Sequence, residues 1–196
     1  MKLRFFVPAL ALALLTIGAQ AQGGLYFNPI VTRVTNSVAD TGDFAFLGTG
    51  STSRIFGGVM IGGYYEVYHA PKFALSLDLR DEIEHGNNAG LNSLLFSPRF
   101  TYLPEKSTFK PYLQIGIGDG RTHSPLNPKP VSKLEAAVLV GVDRPLNRHI
   151  DWRVIEIQYA NVQTISSSLI NGPTSVPTIP NANLFGVSTG FVFRIP

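Results

Sequence analysis

A two-residue hydrophobic period, recurring in blocks along the chain, limits the folds open to it more than any other feature. In the last block Phe185, Val187, Thr189, Phe191, Phe193 and Ile195 fall on one side, and Gly186, Ser188, Gly190 and Arg194 on the other. Successive side chains of a β-strand point to opposite faces, so this period specifies strands with one apolar face. The same rule sets Phe73, Leu75, Leu77 and Leu79 against Ala74, Ser76, Asp78 and Arg80. It also sets Leu134, Ala136, Val138, Val140 and Val142 against Glu135, Ala137, Gly141 and Asp143. Clusters of Pro, Gly, Asn and Asp punctuate the blocks. They predict eight strands, near 25–35, 54–67, 73–80, 91–103, 109–119, 133–143, 151–161 and 183–195. Pro29 and Arg33 leave the parity of the first strand ambiguous.

The connections 36–53, 68–72, 81–90, 104–108, 120–132, 144–150 and 162–182 alternate long and short, beginning and ending long. Outer-membrane barrels have this rhythm, with long external loops, tight periplasmic turns and a periplasmic N-terminus. The expected fold is therefore all-β: an eight-stranded antiparallel up-and-down transmembrane β-barrel with both termini in the periplasm. Its apolar faces meet lipid and its polar faces line the lumen. The inward set is Glu66, Asp78, Arg80, Arg99, Gln114, Glu135, Asp143, Glu156, Gln158 and Arg194. Buried charges need partners, and Arg80, Arg99 and Arg194 are expected to supply them to Glu135 and Glu156. Tyr26, Phe27, Tyr65, Phe73, Phe100, Tyr102, Phe109, Tyr112, Trp152, Phe191 and Phe193 crowd the periplasmic strand ends, as an interfacial girdle would. Gly57, Gly58, Gly62, Gly63, Gly116, Gly118, Gly141, Gly186 and Gly190 lie within strands, where a small barrel needs curvature and room beside large interior side chains. A soluble lipocalin-like binder is the alternative that periodicity alone leaves open. It would have to pack the whole apolar face inside one narrow tube.

Residues 1–21 read as a secretory signal: Lys2 and Arg4, an apolar run from Phe5 to Ile17, then Ala19-Gln20-Ala21 for cleavage. The run is shorter than the roughly 20 residues of a spanning helix. The barrel domain is then 22–196. Removing the signal takes two of the 16 basic residues and none of the 13 acidic ones, so the net charge falls from +3 to +1. With Lys and Arg scattered singly, no nucleic acid partner is expected. The chain has no Cys, which excludes disulfides, thiolate metal sites and thiol catalysis. No Gly-Lys-Ser/Thr or helix pattern follows Gly116-Ile117-Gly118, which excludes a phosphate loop.

Several segments carry a family resemblance: Phe109-Lys110-Pro111-Tyr112 leading into Ile115-Gly116-Ile117-Gly118, then Gly141-Val142-Asp143, Asp151-Trp152-Arg153, and the ending Ser188 to Pro196. Together they resemble the small eight-stranded outer-membrane β-barrel proteins of the OmpA/OmpX-like group. That resemblance implies lipid as the surroundings, a monomer, and recognition by the barrel-assembly machinery through Gly190, Phe193 and Ile195. The chain departs from the usual terminal Phe by ending in Pro196.

The run from Phe96-Ser97-Pro98 to Gly118 and the Phe193-Arg194-Ile195-Pro196 ending also look like the PagL family of lipid A deacylases. There a His-x-Ser-Asn motif sits on the seventh strand; here the matching stretch is Gln158-Tyr159-Ala160-Asn161, without base or nucleophile. His85-Gly86-Asn87-Asn88 has some of that look, but is read as a solvated external loop. Asp81, Glu82, Glu84 and His85 form an acidic cluster in the same loop, and His69, His123 and His149 are isolated. No catalytic, cofactor-binding or metal-ligating set emerges. The expected function is structural or surface-interacting, with binding carried by loops 36–53 and 162–182; the alternative is a lipid A-modifying hydrolase.

Overall fold

The computed structural model describes residues 23–39, 45–126, 130–163 and 181–195. The expected signal segment, most of the loop 162–182 and Pro196 lie outside the described residues. Eight strands follow one another around a closed barrel: β1 (Gly23–Thr35), β2 (Ser53–His69), β3 (Phe73–Gly86), β4 (Ala89–Tyr102), β5 (Lys110–His123), β6 (Val131–Pro145), β7 (Ile150–Gln163) and β8 (Asn181–Ile195). Every neighbouring pair is antiparallel, and β1 closes on β8 from Gly23↔Ile195 to Thr35↔Asn183. Residues 23 and 195 thus share one end, here called the terminal end; the other is the far end.

Strands of 13–17 residues exceed the roughly 9–11 that cross a hydrocarbon layer. Most of the unexpected length lies at the far end, and it changes one connection completely. The predicted loop 81–90 is not a loop. Strands β3 and β4 run on to a two-residue turn at Asn87-Asn88, with φ of 47° and 63°. Asn tolerates this left-handed pair, which matches the twist of a hairpin. The acidic cluster therefore belongs to β3, with Glu82 and Glu84 buried in the lumen, while Asp81 and His85 face outward. The segment has few strong β-formers, which made it read as a loop.

Alternation in β1 settles its parity: Tyr26, Asn28, Ile30, Thr32 and Val34 point inward, while Pro29 and Arg33 point out. Pro29 has no N–H to donate, and the β1–β8 ladder skips Asn28 and Pro29 between Phe27↔Phe191 and Ile30↔Ser188. A bulge in β7 between Arg153 and Glu156 shifts its register against both neighbours, so Arg153 and Glu156 both point into the lumen.

The exterior is apolar. Leu25, Phe27, Val31, Leu79, Phe96, Phe100, Ile115, Ile117, Val140, Tyr159, Phe185 and Phe193 all project from the barrel wall, each about half exposed. Tyr26 and Tyr112, predicted for the aromatic girdle, are instead inside, at 2% and 3% exposure. The reason is parity: they share a face with Asn28 and Gln114. Phe27, Phe73, Phe100, Tyr102, Phe109, Phe191 and Phe193 keep their outward positions.

Candidate functional site

The lumen toward the terminal end is filled by three arginines and three acids. Arg80 donates from Nε to Asp78 Oδ1 at 3.0 Å, from Nη1 to Glu156 Oε1 at 2.8 Å, and from Nη2 to Gln114. Arg99 Nη2 meets Asp143 Oδ2 at 2.7 Å, and Arg153 Nε meets the other oxygen of Asp143 at 3.2 Å. Arg153 Nη1 also lies 3.4 Å from Glu156. All six are buried. Taking such ions out of water is costly unless each finds an opposite charge, and here the three pairs of signs cancel.

Tyrosines insulate this network. Tyr26 donates to Asp78 and Tyr112 to Glu156, at 2.8 and 2.5 Å. Their rings also carry the guanidinium planes: Arg99 stands 3.8 Å from the Tyr112 centroid and Arg153 4.4 Å from that of Tyr26. The space for these rings comes from glycine. A Cβ on Gly62 would fall 2.5 Å from the Tyr26 hydroxyl, and one on Gly141 2.3 Å from that of Tyr112. The prediction that strand glycines accommodate large interior side chains is met at both.

The far half of the lumen is different. Val34, Phe56, Leu91, Leu95, Leu139, Val162 and Leu184 form an apolar cluster. Ala45-Phe46-Leu47 from the first loop folds onto it; Phe46 stacks on Phe56 at 5.8 Å and its carbonyl accepts from Arg54 at 3.0 Å. This segment plugs the far mouth. Around the cluster sit three carboxylates with neutral donors, Glu82 with Gln158, Glu84 with Thr32 and Glu135 with Ser93, at 3.1, 2.9 and 2.6 Å; among the described residues Glu82 alone of the three also reaches a cation, Arg80, at 3.8 Å. None of the arginines expected for Glu135 reaches it: Arg80 turns to Asp78 and Glu156, Arg99 to Asp143 and Arg194 to Asp151.

Of the predicted inward set, Asp78, Arg80, Arg99, Gln114, Glu135, Asp143, Glu156 and Gln158 are buried as expected. Glu66 and Arg194 stand at the terminal rim; Glu66 bonds His69 at 2.8 Å and Arg194 lies 3.1 Å from Asp151. They border a cavity of about 60 Å³ that also touches Arg99 and Lys110, room for a water or two. Sequence reasoning missed Arg153, Glu82, Glu84, Tyr26 and Tyr112 as lumen residues.

The stretch matching the deacylase motif is split by strand alternation. Gln158 and Ala160 point into the lumen, and Tyr159 and Asn161 point out to share the Asn183 amide oxygen. His85 stands on the outer wall, and its ring neighbour is His123 of β5, 6.3 Å away between centroids. Among the described residues, no three His, Asp or Glu side chains are spaced to hold a metal ion. Gly190, Phe193 and Ile195 lie in β8, the aromatic and aliphatic side chains outward.

Known structures share this architecture. Neisserial surface protein A superposes with a TM-score of 0.57 at 14% identity, over 89% of this chain and 99% of that one. The fold is common to both. Ail of Yersinia pestis (TM-score 0.47, 10% identity, 89% and 99% covered) and the outer membrane protein AlkL (0.48, 14%, 90% and 90%) resemble it more loosely. No family model matches the sequence, and no curated protein matches it.

Proposed function

We propose that the protein is an integral outer-membrane barrel with a structural or surface-interaction role. The observation that supports this most is the inversion of polarity across the wall, apolar outside and ion-paired inside. A water-soluble protein rarely exposes an apolar patch above a few hundred Å², and this one circles the barrel. A lipocalin-like binder would need the opposite arrangement and an open cup, whereas this lumen is filled from the arginine network to the plug. On this reading the far end faces the cell exterior, the connections 36–53 and 162–182 carry surface contacts, and the terminal end faces the periplasm.

Recognition by the assembly machinery through Gly190, Phe193 and Ile195 belongs to the same proposal, as does a monomeric state, since closure of β1 on β8 leaves no sheet edge to pair with a neighbour. Fractionation tests the reading: the protein should extract with detergent from outer membranes and migrate faster unheated than boiled. Recovery from the soluble periplasmic fraction would overturn it. In planar bilayers the folded barrel should show no stable conductance, because side chains fill the bore.

A further inference from the structure

Three strands bring two histidines together at the far end of the outer wall. His85 of β3 is paired with Gly90 of β4, and Gly90 with His123 of β5. All three positions project to the same, outward face. Strands lie about 4.8 Å apart, so side chains two strands away normally stand almost 10 Å from each other. Here the missing side chain at Gly90 lets the rings close the gap. A Cβ on Gly90 would fall 1.8 Å from Cε1 and 2.3 Å from Nδ1 of His123, so that imidazole lies directly across the glycine. The two ring centroids are 6.3 Å apart with their planes at 68°.

We infer that His85 and His123 form a two-imidazole site for a divalent transition-metal ion. The spacing is within reach of shared ligation: with metal–nitrogen distances near 2.0–2.1 Å, two imidazoles on one tetrahedral ion have centroids about 5 Å apart, so side-chain rotation has to bring the rings about 1 Å closer. Neither ring has a hydrogen bond or ion pair among the described residues, so the ring nitrogens have no competing partner. Imidazole nitrogen selects zinc, nickel or copper, and calcium and magnesium prefer oxygen sets. With two protein ligands, water or another donor completes the coordination, and the site is open on its outer side. His85 is exposed and His123 half-buried, so an ion reaches them from solvent beyond the apolar belt.

Zinc chloride added to the detergent-refolded full barrel, with the four histidine imidazoles followed by NMR, tests the site. The resonances of His85 and His123 should move together at one zinc per barrel, while His69 and His149 stay fixed. His85→Ala and His123→Ala should each weaken zinc binding about tenfold or more by calorimetry. Gly90→Ala, which keeps both ligands but pushes the rings apart, should weaken it too. Folding of each variant is checked by heat-modifiable migration, and the two histidine variants decide the matter if Gly90→Ala misfolds. The inference is overturned if His85 and His123 titrate independently, if neither responds up to about 1 mM zinc, or if both alanine variants bind zinc as the unaltered protein does.

Discussion

The two halves of the lumen fill the same tube by opposite means. Near the terminal end, Arg80, Arg99 and Arg153 interlock with Asp78, Asp143 and Glu156 through directional contacts. Toward the far end, Leu91, Leu95, Leu139 and Leu184 meet Phe46 and Phe56 without directional demands. Apolar packing tolerates repacking at constant volume, but an ion network fails when one member is removed. The difference predicts different tasks for the two halves, the charged half selecting strand register and the apolar half adding stability with little selectivity.

That contrast can be broken experimentally, beginning with its strongest element. Arg80→Met keeps much of the side-chain volume but leaves Asp78 without a cation and Glu156 with Arg153 as its remaining one, and should destabilise the barrel by about 3–5 kcal/mol. Equilibrium unfolding in guanidinium, read from the single tryptophan, Trp152 on β7, measures it. An effect below about 1 kcal/mol, close to that of a surface change, would dissolve the distinction. In the far half, Leu139→Ala should cost about 2–4 kcal/mol through cavity formation. Tyr112→Phe removes one donor to Glu156 while keeping the ring under Arg99, and should cost about 1–3 kcal/mol in the same assay. Smallest of all, Leu95→Met should shift stability by less than about 1.5 kcal/mol, since volume is nearly conserved. If Leu95→Met proves as harmful as Arg80→Met, the apolar half is as selective as the charged one.

Much of this arrangement was legible because alternation is a local rule. Asp78, Arg80, Arg99, Gln114, Asp143 and Glu156 follow from counting by twos along their own strands. Arg153 was not, because the bulge in β7 adds a residue and reverses the count between it and Glu156. Tyr26 and Tyr112 were misassigned because residue type suggested a lipid interface, while parity placed them in the lumen beside glycines of neighbouring strands. Glu82 and Glu84 read as solvated since a run of acids resembles a loop; only the Asn87-Asn88 turn reveals the hairpin. The meeting of His85 with His123 spans three strands across a glycine, a relation that exists only once register is known.

The pairing of β1 with β8 has a kinetic consequence. Gly23 and Ile195 are ladder partners, so the contact that completes the barrel joins the two most distant described positions of the chain. Loop-closure entropy must be met before that seam returns any hydrogen bonds, which makes closure a late and slow event. Until then both outer strands expose unpaired backbone and an apolar face, with Leu25, Phe27 and Val31 on β1 and Phe185, Phe191 and Phe193 on β8, the profile of an aggregation template. A cell making this protein must therefore keep the unclosed chain shielded throughout its transit, and an arrest before β8 is delivered leaves a sheet with two sticky margins.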